Sequence, residues 1–105
     1  MLSESALCKI ANQLFLAQKR AEKLDDDKLN RHLSRIIETL EDENIRVSDP
    51  TGETYTETRT DCEASISGSS TTNLHIVEVI KPIVVVLENG LPRMIQKGVV
   101  IVEGK

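Results

Sequence analysis

The apolar residues of the first 44 positions repeat with a helical period, and this pattern constrains the fold more than any other feature of the sequence. In residues 3–24, two series of apolar positions recur every seven residues and are offset by three, which places them on one stripe of a helix. The stripe consists of Leu7, Leu14 and Ala21 together with Ile10, Ala17 and Leu24. We therefore predict an amphipathic helix over residues 3–24.

A run of three aspartates, Asp25 to Asp27, separates this helix from a second one. Aspartate caps helix N-termini, and its charge suits the positive end of the helix dipole, so the run ends the first helix and begins the second. The second helix is predicted over residues 26–43. Its apolar stripe consists of Leu29, Leu33, Ile36 and Leu40 and is widened by Ile37. Two helices joined by so short a link form an antiparallel hairpin.

A single hairpin covers its two apolar stripes poorly, whereas two copies could bury them in a four-helix bundle. We therefore predict a homodimer. The residues expected in its interface are Leu7, Ile10, Leu14, Leu29, Leu33, Ile36 and Leu40. The alternative interpretation of the same stripes is an ordinary amphipathic hairpin that packs against the core of its own chain.

After Asn44 the hydrophobic pattern changes from helical to strand-like. A short strand from Ile45 to Ser48 leads into a strong turn signal at residues 49–52, and the strongest strand signal is the apolar run after residue 73. Proline removes a donor from a strand ladder, so Pro82 in this run marks an edge, a bulge or a corner between strands. The sequence predicts an α+β fold, with a helical dimerisation region over residues 1–44 and a small, mostly β head domain over residues 45–105.

Charge and composition argue against several classes of function. The net charge is −4, and both parts of the chain are mildly acidic: residues 1–44 carry seven basic and nine acidic groups, and residues 45–105 carry six and eight. A protein that binds nucleic acid concentrates basic residues on one face, so we expect no nucleic-acid partner. No apolar run approaches the roughly 20 residues that span a bilayer, and no signal peptide is visible. We expect a soluble, cytoplasmic protein that does not contact a membrane.

The residues that usually carry catalysis or bind cofactors form no recognisable pattern. No glycine-rich phosphate-binding motif is present, and His32 and His75 have no metal-ligand neighbours at useful spacing. Cys8 and Cys62 are far apart in the sequence and are expected to be reduced thiols. We expect a protein that is not an enzyme and that uses neither a metal nor a cofactor.

Five short motifs follow the two helices in a fixed order: Gly52-Glu53 with Tyr55, Glu63-Ala64 after Cys62, Val77-Glu78-Val79-Ile80, Asn89-Gly90, and Arg93 with Val100 and Val102. In this order they resemble the C-terminal part of GrpE-type nucleotide exchange factors, over about residues 25–105. The sequence departs from the family pattern at residues 96–98 and 83–84. The family's long paired helix is expected to be missing or greatly shortened, with residues 3–24 as either its remnant or one of the bundle helices. Leu91-Pro92 is a two-residue insertion, which we expect to lengthen the turn before Arg93.

The resemblance implies a function and a set of binding residues. GrpE-type factors are dimeric co-chaperones whose β head binds the ATPase domain of a DnaK-type chaperone and opens its nucleotide cleft, so that ADP leaves. By this resemblance the partner-binding residues are Arg93, Met94, Ile80 and Val102. Ile80 and Val102 also fit the alternative interpretation as core residues of strands. A second hypothesis is a regulatory interaction module that has a GrpE-like scaffold and a different partner.

Overall fold

The computed structural model describes residues 2–104, and its first two elements are the predicted helices. Helix α1 spans Glu4–Lys23 and helix α2 spans Asp27–Asp42. The aspartate run acts as predicted, because the Asp26 side chain caps α2 by accepting a hydrogen bond from the Leu29 N–H at 3.0 Å. The helices pack as a hairpin, and Gln18 of α1 donates a hydrogen bond to Ser34 of α2 at 3.4 Å.

Six strands follow the helices and form two three-stranded sheets. The strands are β1 (Ile45–Ser48), β2 (Cys62–Ser67), β3 (His75–Lys81), β4 (Ile83–Glu88), β5 (Leu91–Gln96) and β6 (Gly98–Glu103). The first sheet has the order β1-β4-β5 and is antiparallel. The second has the order β2-β6-β3, in which β2 runs parallel to β6 and β3 runs antiparallel to it. The predicted α+β class, with a helical part followed by a β part, is thus confirmed.

The chain passes between the two sheets at Pro82, which separates β3 from β4, and again at Lys97, which separates β5 from β6. The Gln96 side chain ties these two crossing points together by donating a hydrogen bond to the Pro82 carbonyl oxygen at 2.8 Å. Pro82 is therefore a corner between strands, one of the three roles that the sequence left open. A proline is tolerated there because a residue that leaves a sheet needs no ladder donor.

The turn at Asn89-Gly90 joins β4 to β5 with two residues of positive φ, 53° and 79°. Two-residue turns of this kind match the twist of a hairpin. Leu91 and Pro92 pair with Glu88 and Leu87 inside the strands, so the prediction that they lengthen the turn is wrong. Side chains alternate along a strand with a period of two, so a two-residue insertion leaves the face on which Arg93 projects unchanged.

The hydrophobic core lies in the β head, but its largest buried side chain comes from α1. Phe15 is 3 % exposed and packs in the core of the head. The other buried members of this cluster are Cys62, Ile76, Val79, Ile83, Val100 and Val102. The border between helices and strands falls near Asn44, as expected, but Phe15 makes α1 part of the head's own core.

Candidate functional site

Arg93, the residue that the resemblance places at the partner-binding surface, projects from β5 close to the Asn89-Gly90 turn. Its guanidinium is held between two carboxylates. The Nη2 atom lies 2.6 Å from Oε2 of Glu4 in the first turn of α1 and 2.6 Å from Oε1 of Glu88 at the end of β4. All three side chains remain well exposed to solvent. Arg93 therefore lies on the surface, where a partner could reach it, and is already ion-paired within its own chain.

The electrostatics of this Arg93 cluster (Glu4, Glu88 and Arg93) follow from the ion pairs. The hydrogen bonds from Arg93 lower the pKa of the Glu4 and Glu88 carboxyls, and the same contacts, led by that with Glu4, raise the pKa of Arg93. All three groups are therefore charged at neutral pH, and the cluster carries a net charge of −1. Both carboxylates contact Nη2, so a further carboxylate that approaches this nitrogen competes with Glu4 and Glu88.

Helix α1 lies along β5 through residues spaced four apart, which share one face of a helix. After Glu4 comes Cys8, whose thiol donates to the Ile95 carbonyl oxygen at 3.8 Å, and burial raises the pKa of this thiol. Asn12 then exchanges two amide hydrogen bonds with Gln96, at 3.1 and 2.7 Å. The polar contacts between the first half of α1 and the head therefore follow one face of the helix.

The other three residues predicted to bind the partner differ in their exposure. Met94 and Ile80 are exposed, but they lie in different sheets, on β5 and β3. Val102 is 0 % exposed and pairs with Ile76 inside the head. A partner that binds this surface cannot reach Val102, so we remove it from the candidate site. Its alternative interpretation as a core residue agrees with its burial.

The predicted dimer residues form an incompletely covered stripe on the helical hairpin. Ile10, Leu29 and Ile36 are exposed. Leu7, Leu14 and Leu40 are half-buried. Leu33 is the exception, because it is buried within its own chain. Exposed apolar side chains that share a stripe, as opposed to scattered ones, are typical of surfaces that bind another protein.

A second charged cluster, which the sequence did not reveal, surrounds Arg59 in the long connection before β2. Its guanidinium binds Asp61 at 2.6 and 3.2 Å, Glu53 at 2.7 Å and the Thr54 carbonyl oxygen at 3.1 Å. All five N–H donors of an arginine lie in one plane, which lets one side chain join several acceptors. These contacts stabilise the conformation of the connection, and all of them lie within residues 53–61.

Neither a metal centre nor a membrane-spanning helix is found in the described part of the chain. Within residues 2–104, no three histidine, cysteine, aspartate or glutamate side chains come together in a way that could hold a metal ion. No helix in that range combines the length and the apolar character needed to cross a bilayer. Cys8 and Cys62 are both free thiols.

No protein-family model matches the chain, and the comparisons with curated proteins and with solved structures find no match either. The surface features that remain as candidates for a functional site are the Arg93 cluster and the apolar stripe of the hairpin.

Proposed function

We propose that this protein is a non-catalytic co-chaperone that resembles GrpE-type factors and promotes ADP release from a DnaK-type ATPase. In this proposal two copies associate through their helical hairpins in a four-helix bundle. The exposed surface around Arg93 and Met94 then contacts the ATPase domain of the chaperone.

One observation carries the proposal: the hairpin is fixed to the head through one face of α1 and through the packing of α2 beside β1, and it leaves an apolar stripe uncovered. Phe15 and the ion pair between Lys19 and Asp49, at 2.6 Å, hold α1 on the head. On the hairpin, Ile10 and Ile36 remain exposed. Apolar side chains that stay exposed on the hairpin, while other residues attach the hairpin to the head, are expected in a protein that binds another protein.

The proposed mechanism needs no bond to be made or broken. A protein that binds the open form of a nucleotide cleft more tightly than the closed form shifts the population toward the open form, and the affinity for ADP falls by the same factor. A tenfold decrease in ADP affinity requires about 1.4 kcal/mol of differential binding. A small head with a few well-placed contacts can supply a difference of this size.

A second candidate is a regulatory interaction module that has the same scaffold and binds a different protein. The pairing of Arg93 with Glu4 and Glu88 favours it, because an arginine that already has two carboxylate partners is a weaker ligand for an acidic surface. Both candidates use the hairpin for dimerisation and differ only in what the head binds.

The experiment that separates the two candidates measures the release of fluorescent ADP from a DnaK-type ATPase. We expect the wild-type protein to accelerate release in a concentration-dependent way and Arg93→Ala to weaken the acceleration. Arg46→Ala, which changes an exposed arginine on β1, is the matched control and should act like the wild type. If the folded wild-type protein gives no acceleration, the exchange-factor proposal is wrong, and the second candidate takes its place.

A further inference from the structure

The carboxylate of Glu4 occupies one of the positions at which a carboxylate of a binding partner can pair with Arg93. The Glu4 Oε2 atom is 2.6 Å from Nη2 of Arg93, and Glu4 comes from a different element than the strand that carries Arg93. Glu88, by contrast, approaches the same nitrogen from the neighbouring strand, across a two-residue turn. Glu88 thus belongs to the local structure of the hairpin, whereas Glu4 reaches Arg93 from a separate helix.

We infer that Glu4 is a built-in competitor for Arg93: its carboxylate occupies Nη2 of Arg93 and repels an acidic patch on a protein partner, so release of the first turn of α1 strengthens the binding of that patch. This inference rests on the proposed function, because it concerns how the same partner-binding surface is controlled. The partner is defined by its chemistry, as a protein surface that presents carboxylates to Arg93.

The first turn of α1 is suited to detachment because it makes few polar contacts with the head and contains no fully buried residue. Up to Cys8, the polar side-chain contacts between α1 and the head are the Glu4 ion pair and the weak hydrogen bond from the Cys8 thiol. The first buried residue of the helix is Ala11, and the larger anchor, Phe15, is a turn further on. Helix ends open at little cost when they bury little apolar surface. Residues 4–8 can therefore leave the head while the rest of α1 stays in place.

The same geometry explains why the competition is modest and reversible. An ion pair between exposed side chains is weak, because water and salt screen both charges. A partner carboxylate that takes the place of Glu4 at Arg93 forms the same kind of ion pair. The new ion pair offsets most of the free energy that is lost when the Glu4 ion pair breaks. Glu88 stays bound and keeps the guanidinium aimed outward from β5.

The inference is tested first on the protein alone, through the reactivity of Arg93 toward phenylglyoxal, followed by mass spectrometry of the peptide that contains it. This reagent attacks the uncharged form of a guanidinium, which ion pairing disfavours. We expect Glu4→Ala to increase the rate of modification at Arg93, and Glu4→Gln, which keeps a hydrogen-bond acceptor, to increase it less. Glu57→Ala removes an exposed glutamate that forms no ion pair within residues 2–104 and should leave the rate unchanged.

The second measurement is the affinity of each variant for the ATPase domain of a DnaK-type chaperone. We expect Glu4→Ala to bind about two- to fivefold more tightly than wild type, which is the effect of one exposed ion pair. This gain should vanish in an Arg93→Gln background, because no arginine remains to be released.

The outcomes separate the inference from the proposed function. An unchanged modification rate at Arg93 in Glu4→Ala overturns the inference, whether or not the ATPase domain binds. If wild type and Glu4→Ala bind the ATPase domain with equal affinity, the inferred competition is wrong and the proposed function still stands. Binding by neither protein overturns the proposed function and, with it, the competition.

Discussion

A single arginine lies at the centre of the Arg93 cluster and another at the centre of the Arg59 cluster, and the two arginines differ in their burial and in their role. Arg59 is mostly buried and binds Asp61, Glu53 and a backbone carbonyl, all within six positions of it in the sequence. Arg93 is half exposed and binds a residue that lies 89 positions away. The first arrangement shapes a loop, whereas the second joins two elements of the fold at the surface.

The Arg59 cluster predicts how stability depends on pH. The hydrogen bond from Arg59 lowers the pKa of Asp61 below its ordinary value of 3.8. A carboxyl whose pKa is lowered by folding stabilises the protein above its unfolded pKa, and this stabilisation is lost as the pH falls through the lowered value. We expect Asp61→Asn to unfold at lower urea concentration than wild type at neutral pH, with a difference that shrinks as the pH falls below about 4. Urea titrations across this range measure it.

The control for this prediction is Glu63→Gln, which changes an exposed carboxyl that forms no ion pair within residues 2–104. Its urea midpoint should follow that of wild type over the whole pH range. A difference between wild type and Asp61→Asn that stays constant down to pH values near 2 would contradict the assigned role of Asp61.

At the scale of secondary-structure elements, the decisive feature is that α1 packs against the head with a face that its heptad pattern does not indicate. The apolar stripe predicts one contact surface, but Glu4, Cys8, Asn12 and Phe15 are the residues that contact the head. Lys19 continues this line, because its ammonium lies 5.4 Å from the centre of the Phe15 ring and pairs with Asp49. The helix thus contributes to the head core and presents its stripe elsewhere.

Truncating Phe15 tests this packing. Phe15→Ala removes a buried aromatic ring from the core of the head, and a loss of about 3–5 kcal/mol in the free energy of unfolding is expected for such a change. The neighbouring Leu16 is 48 % exposed, so Leu16→Ala is a matched control on the same helix and should cost less than about 1 kcal/mol. Urea denaturation of the two variants compares them. Equal losses would show that Phe15 does not anchor α1 in the head.

At the scale of the whole molecule, the uncovered stripe on the hairpin predicts self-association. Ile36 lies in this stripe and is 45 % exposed, so an aspartate there should leave the fold of a single chain intact and place a charge in the proposed dimer interface. Light scattering coupled to size-exclusion chromatography should give the mass of a dimer for wild type and of a monomer for Ile36→Asp.

Ile66 provides the matched control for this prediction. It is 50 % exposed on β2, in the head and away from the hairpin stripe, so Ile66→Asp should remain a dimer. Circular dichroism checks that both variants keep their helices and strands. A wild-type protein that is a monomer at micromolar concentration would contradict the proposed bundle, and the stripe would then need another partner.

Local patterns in the sequence were sufficient to predict most of the secondary structure. The bounds of both helices, the break at the aspartates, the first strand and the corner at Pro82 all depend on residues within a few positions of one another. Capping, helical period and the missing proline donor act over that range, so the sequence alone determines them. The exposure of Arg93 agrees with its position near a tight turn, although its ion-pair partner Glu4 could not be foreseen.

Only the tertiary structure decided which surfaces meet. The parallel pairing of β2 with β6, the entry of Phe15 into the head core, the burial of Val102 and the contact of Glu4 with Arg93 all join residues far apart in the chain. Each of these depends on how sheets and helices pack in three dimensions, and the free energy of packing depends on shape across the whole core. A periodic pattern says that a helix has an apolar stripe, but the fold decides whether that stripe enters the core or remains available to a second chain.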